Sequence, residues 1–207
     1  MLLSLYFALT AAVLAHPAPF VAERWWTDVV AAQRGHALTS VALAFNAAGL
    51  FPWSLIIVGL ATLVVWRARV AAGVATFLGG EAASWAVSSL TKLGVGRPRP
   101  LVALVDTSTS SFPSGHTAFA TVTAVLLVGL LCGRGRRGAW AVPAGAAALA
   151  MAWSRTYLGA HWLADVAGGL ALGAAAGLGA FAVRSWRLGS AEVATLPDHE
   201  RKALTCR

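Results

Sequence analysis

The chain has 207 residues, of which 58% are hydrophobic and 12% charged, with a formal net charge of +8 and a mean hydropathy of +0.70. Soluble domains carry about 25% charged residues, so this composition excludes an ordinary soluble protein and points to the membrane. It also excludes nucleic acid as the partner of the basic excess, because the arginines lie in brief clusters between apolar runs, as cytoplasmic loops of membrane proteins do.

A hydrocarbon core about 30 Å thick needs about 20 apolar residues per helix, so the length allows about six spans with short loops. Residues 2–15 are apolar and open a first span extending to about Val21; no basic residue precedes the run, which argues for a retained helix over a signal peptide. Residues 22–37 carry Glu23, Arg24, Trp25, Trp26, Asp28, Arg34 and His36 and read as an interfacial segment on the outer side. A second span runs from about Leu38 to Trp66, kinked or broken at Pro52. The lone Asn46 near that break reads as a helix–helix hydrogen bond.

The third span runs from about Val70 to Leu93, followed by a polar loop over residues 94–112 in which Asp106 reads as solvated. The fourth runs from Ser114 to Cys132, the basic turn 133–138 follows, and the fifth covers about Ala139 to Tyr157. The sixth starts near His161 and ends at about Val183; its Gly168, Gly169, Gly173, Gly177 and Gly179 would let helices approach closely. The polar stretch after Arg184 reads as a loosely ordered tail. The predicted organisation is one six-span domain over residues 1–187 and a cytoplasmic tail over 188–207. The fold class is all-α, a polytopic bundle of six transmembrane helices. Cys132 and Cys206 lie beside basic clusters on the cytoplasmic side, where disulfides are rare, and do not read as a disulfide or a metal site.

An inner N-terminus puts Arg67, Arg69, Arg134, Arg136, Arg137, Arg184, Arg187, Arg201, Lys202 and Arg207 inside, ten of the sixteen basic residues. The positive-inside rule then places both termini in the cytoplasm. Three polar stretches fall together at the outer face: Lys92 to Pro100; Pro113-Ser114-Gly115-His116; and Ser154-Arg155 with His161 and Asp165.

Their chemistry is that of a phosphate site. Lys92, Arg99 and Arg155 supply cations, with Arg99 stiffened between Pro98 and Pro100, and arginine's fork of donors matches phosphate oxygens. Ser114 and Gly115 open a helix, whose N-terminus offers free N–H groups and partial positive charge to an anion. His161 and Asp165 are four apart and share a helix face. A carboxylate on one ring nitrogen fixes the tautomer and leaves the other free to attack, so His161 is the candidate nucleophile, Asp165 its orienter and His116 the general acid. Glu81, inside the third span, forms a polar stripe with Ser84, Ser88 and Lys92 and is a candidate pocket residue. Arg97 is a second candidate there, either adding to the phosphate field or anchoring its loop. Tyr157 and Trp162 flank the nucleophile as interface markers.

At these residues the sequence resembles the type 2 phosphatidic acid phosphatase and vanadium haloperoxidase superfamily, through Lys92, Arg99 and Pro100, through residues 113–116, and through Ser154, Arg155, His161 and Asp165. The motifs cover residues 92–165 without departure. The resemblance implies a metal-independent membrane lipid phosphatase with no cofactor. His161 would attack phosphorus, Asp165 would orient it, and His116 would protonate the leaving oxygen. Lys92, Arg99, Arg155, Ser114 and the Gly115 N–H would cradle the phosphate. It also implies a bacterial inner membrane location with the active site on the periplasmic or extracellular face, and a phosphorylated lipid as partner. Undecaprenyl pyrophosphate is the first expectation; phosphatidate and phosphatidylglycerol phosphate are the alternatives. Haloperoxidase chemistry is disfavoured by the continuous apolar spans, and lipid binding without turnover by the complete set of His116, His161 and Asp165. Oligomeric state is not encoded in these motifs.

Overall fold

The computed structural model describes residues 1–70, 72–107 and 109–194, and among these the fold is all-α, with no strand. Its helices are α1 (Leu2–Ala15), α2 (Val21–Ala32), α3 (His36–Ala48), α4 (Trp53–Arg67), α5 (Gly73–Val95), α6 (Gly115–Leu131), α7 (Arg137–Tyr157) and α8 (Leu163–Ala194). A single 3-10 turn, Arg134–Arg136, leads into α7.

The first helix stops at Ala15, short of the expected Val21, because Pro17 and Pro19 cannot continue it. A separate helix, α2, then begins at Val21 and buries Glu23, Thr27 and Val30. That face packs against α7 and α8, while Trp25 stays exposed on the other. The second expected span is broken: α3 and α4 meet at 65° across Gly49–Pro52. At the other end, α8 runs on through Arg184 to Ala194, so the expected tail boundary at 188 falls inside a helix. Arginine, alanine and glutamate all favour helix, and no proline intervenes to stop it before Ala194. Residues 195–207, with Cys206 and the last three basic residues, lie outside the described part.

Length and hydropathy alone qualify one helix as a membrane span, Leu163–Gly189, and the bent α3–α4 pair as a second. The α1 and α6 helices are apolar but have 14 and 17 residues. The α5 helix is diluted by its Glu81, Ser84, Ser88 and Lys92 stripe. Large apolar side chains nevertheless point outward, among them Leu3, Phe7, Leu55, Leu60 and Trp66.

The α6 helix is the centre of the bundle, packed against α5, α7 and α8. One apolar cluster joins it to α1 and α8 through Tyr6, Val13, Phe112, Ala118, Ala171 and Leu172. Another joins it to α4 and α5 through Val65, Phe77, Val122 and Leu126. Its closest approach is to α8. A Cβ on Gly169 would lie 2.7 Å from the Ser114 carbonyl oxygen, and one on Gly173 would lie 2.4 Å from that of Ala118. Backbone cannot move aside as a flexible side chain can, so only glycine permits this separation. Gly177 continues the same stripe against Val125, whereas Gly179 faces open space.

Gly173→Ala should therefore destabilise the protein by about 1–3 kcal/mol. Gly179→Ala should change stability by less than about 0.5 kcal/mol. Thermal unfolding of the two variants in detergent checks the contrast.

Candidate active site

The alternation of helices brings the C-terminal ends of α5 and α7 beside the N-terminal ends of α6 and α8. Around this end lies a cavity of about 520 Å³ whose walls include Lys92, Arg99, Gly115, His116, Arg155 and His161. Six of the residues singled out in the sequence thus face one space. Asn46 also lines it, and Asp106, exposed in its loop, stands at the rim.

The three cations make no salt bridge among the described residues. Lys92 Nζ donates to the Ser110 carbonyl at 2.8 Å. Arg99 is spread over carbonyls, with Nε on Thr109 at 2.7 Å and Nη1 on Ala160 at 2.7 Å. Arg155 is 3% exposed, its Nη1 donates to Asn46 Oδ1, and its Nε has no partner. Holding like charges together out of water is costly, and carbonyl dipoles compensate only part of that cost. An anion in the cavity would complete it.

His161 is 3% exposed and lies in the turn between α7 and α8. Arg99 Nη1 stands 3.2 Å from its Nε2. A guanidinium can only donate, so Nε2 carries the lone pair and the ring proton sits on Nδ1. Nδ1 is 3.5 Å from Asp165 Oδ2, an ion-pair separation outside hydrogen-bond geometry, and has no closer partner. Contacts of this kind are often long before substrate binds. Burial pushes the His161 pKa from 6.5 down to about 3, outweighing the pull of Asp165. The imidazole is therefore neutral near pH 7, with its lone pair towards the cationic cavity. The same shift means that folding loses stability as pH falls from 6.5 towards 3, because the unfolded chain takes up the proton first.

His116 presents the complementary arrangement. Its Nε2 lies 3.2 Å from the Asn46 carbonyl oxygen. A carbonyl only accepts, so Nε2 bears the proton and Nδ1 is the position free to take up or release another. Asn46 therefore fixes both His116 and Arg155, one through its backbone and one through its side chain. The lone amide in an apolar run was the available signal. It is a helix–helix contact as expected, but it also lies in the wall of the site.

Other expected residues sit elsewhere. Ser114 is fully buried, accepts from Thr117 Oγ1 at 3.1 Å, and does not line the cavity. Its N–H donates to the Asp165 carbonyl at 2.9 Å, which ties the start of α6 to the start of α8. Arg97 does not line this cavity and anchors its loop, the second of the two readings open for it: it is 1% exposed, between Asp165 Oδ1 at 2.6 Å and Glu23 Oε2 at 2.6 Å. The two acids draw it inward. Tyr157 and Trp162 are internal ties, not interface markers: Tyr157 Oη accepts from Gly35 N at 3.1 Å, and Trp162 Nε1 donates to the Pro98 carbonyl at 2.9 Å. Ser154 is buried and donates to the Met151 carbonyl.

A second cavity, of about 550 Å³, shares Gly115 and His116 with the first. Phe51, Leu55, Val58, Trp85 and Phe119 make it apolar, and Glu81, Ser84 and Ser88 run along one wall. Glu81 accepts from Thr123 Oγ1 at 2.6 Å. Among the described residues, no group of three or more His, Cys, Asp and Glu is arranged to hold a metal ion.

The helix break also shapes the site. A Cβ on Gly49 would stand 2.1 Å from His116 Cδ2. Gly49→Ala should push the ring off the Asn46 carbonyl and lower any turnover that needs His116 in place by about 10²-fold. Thermal unfolding recorded beside the rate separates this from loss of fold.

Comparison with known proteins agrees in family and fold. The chain superimposes on a transmembrane PAP2 type phosphatidylglycerolphosphate phosphatase from Bacillus subtilis with a TM-score of 0.76, at 24% identity, over 89% of this chain and 94% of that one. It superimposes on Aquifex aeolicus LpxE with a TM-score of 0.66, at 20% identity, over 78% of this chain and 96% of that one. At these identities the likeness is one of fold. No curated protein matches the chain. The family model of the PAP2 superfamily matches residues 73–188, which hold every residue lining the polar cavity except Asn46 and Leu50. The chain belongs to the PAP2 superfamily, a family of phosphatases.

Proposed function

We propose that the chain is an integral membrane lipid phosphatase that works through a phosphohistidine at His161. The observation that carries this reading is the pairing of a neutral imidazole lone pair with three cations that lack carboxylate partners, around one cavity. The adjoining apolar cleft supports a lipid substrate, since it offers room for a hydrocarbon tail beside the phosphate cradle.

In this mechanism Lys92, Arg99, Arg155 and the Gly115 N–H take the phosphate oxygens, and Ser114 holds the turn that aims Gly115. Arg99 transfers its Nη1 donor from His161 Nε2 to the phosphate. Nε2 then attacks phosphorus, and the bond from phosphorus to the lipid-side oxygen breaks. His116, having taken up a proton at Nδ1 from solvent as the anionic substrate binds, gives that proton to the oxygen. It next takes a proton from water, whose oxygen attacks phosphorus as the P–N bond breaks, returning His161 to its starting form. Charge on the transferring group is met by fixed cations, which is why no metal ion is invoked.

The membrane arrangement follows from the same reading. Six crossings come from α1, the bent α3–α4 pair, α5, α6, α7 and α8, with α2 on the outer surface. Both termini are then cytoplasmic, and the site faces the periplasm or exterior of a bacterial inner membrane. Undecaprenyl diphosphate is the first substrate proposed. The Bacillus subtilis neighbour acts on phosphatidylglycerolphosphate, which keeps that lipid and phosphatidate as the alternatives.

The test is phosphate release in detergent from these three lipids, with EDTA present. The wild-type chain should release phosphate at a rate unchanged by EDTA, and His161→Ala should lower it by about 10⁴-fold or more. Binding of the lipids without release by a folded wild-type chain would replace this reading with a lipid-binding protein.

A further inference from the structure

We propose that Glu23 is a positioning residue for the His161–Asp165 pair, acting through Arg97. This rests on His161 being the nucleophile, as proposed above. Glu23 lies on α2, outside residues 73–188 that the family model matches.

Asp165 is completely buried, and both of its carboxylate oxygens are taken. Oδ2 accepts the Trp162 N–H at 2.8 Å and faces His161 Nδ1 at 3.5 Å. Oδ1 accepts Arg97 Nη1 at 2.6 Å. Arg97 thus decides which oxygen is left to the histidine. It is itself held from the far side: Nη2 donates to Glu23 Oε2 at 2.6 Å and Nη1 to Glu23 Oε1 at 3.2 Å, both in buried surroundings. Glu23 is anchored in turn by the Phe20 N–H on Oε2 at 2.8 Å and the Ala164 N–H on Oε1 at 2.8 Å. Ala164 immediately precedes Asp165, so Glu23 grips the guanidinium and the backbone that carries its partner.

The electrostatic consequence is separate from the geometric one. Arg97 paired with Asp165 alone would neutralise the carboxylate. With Glu23 present, two carboxylates share one guanidinium and the cluster keeps one net negative charge behind His161. That charge favours the positive ring that forms as Nε2 bonds to phosphorus. A carboxylate bound only for packing would not need to be charged.

The experiment measures kcat and KM for undecaprenyl diphosphate in detergent micelles, per folded protein, for the wild-type chain, Glu23→Gln, Glu23→Asp, Arg97→Lys and the His161→Ala control. Glutamine keeps the shape and can still accept from Ala164, but it removes the charge and turns an amide NH2 towards the Phe20 N–H and Arg97 Nη2, so both the charge and the grip on Arg97 are lost. The expected result is a fall in kcat of about 10-fold for Glu23→Gln with KM little changed, partial recovery in Glu23→Asp, and a similar fall for Arg97→Lys. Wild-type kcat in folded Glu23→Gln, or a loss confined to KM, would overturn the proposal. If Glu23→Gln does not fold, Arg97→Lys decides: reduced kcat at unchanged KM supports the relay, and wild-type kcat rejects it. Turnover surviving in His161→Ala would instead remove the nucleophile assignment on which the relay depends.

Discussion

A carboxylate with no access to water must be satisfied entirely by its surroundings, and Asp165 at the head of α8 is in that position. Three separate parts of the chain meet to satisfy it. The loop after α5 supplies Arg97, the turn before α8 supplies the Trp162 N–H and His161, and α2 supplies Glu23 behind Arg97. The backbone of the same residue also accepts the Ser114 N–H, which sets the start of α6 against the start of α8. Breaking a buried ionic contact of this kind on one side leaves an uncompensated charge and is strongly destabilising. The relative placement of α2, α6, α8 and the intervening loop is thereby fixed at the end of the bundle where the cavity lies.

Below that junction the constraint is steric. Gly169, Gly173 and Gly177 let α8 lie almost on the backbone of α6. Two parts of the cavity wall therefore come together, Gly115 and His116 from α6 and His161 from the turn that leads into α8, with Asp165 behind it in the first turn of α8. The third component, the cluster of Lys92, Arg99 and Arg155, is set against carbonyl groups and an amide and makes no salt bridge among the described residues. The protein spends its buried carboxylates on Arg97 and leaves the cavity cations for a ligand. One set of charges thus organises the fold, while the other remains available to bind an anion.

Much of this was legible in the sequence because the informative residues are polar in an apolar chain. Lys92, Arg99, His116, Arg155 and His161 stood out for that reason, and together with Gly115 they line one cavity. The helix break at Pro52 and the glycine stripe of α8 were legible because proline and glycine act locally. Glu23 was not, since its partner Arg97 lies 74 residues away and no periodicity links them. It read as one charge in an interfacial segment. Arg97 read equally as adding to the field of the cavity or as anchoring its loop, and only the fold, which sets it between Asp165 and Glu23, separates the two. Tyr157 and Trp162 were misread for a related reason: aromatic residues with polar tips suit both a membrane interface and a buried hydrogen bond. Asn46 was placed as a helix–helix contact, but only the fold shows that the contact holds both His116 and Arg155.

The central claim is that His161 Nε2 forms a bond to phosphorus. Rapid alkaline quenching of the wild-type chain during turnover of a radiolabelled lipid phosphate, followed by peptide mapping, tests it most directly. The account predicts an acid-labile, base-stable label on the peptide containing His161, formed and lost at rates that support turnover and absent in His161→Ala. Phosphate release at full rate with no labelled peptide, or a label carried by another residue, would contradict it.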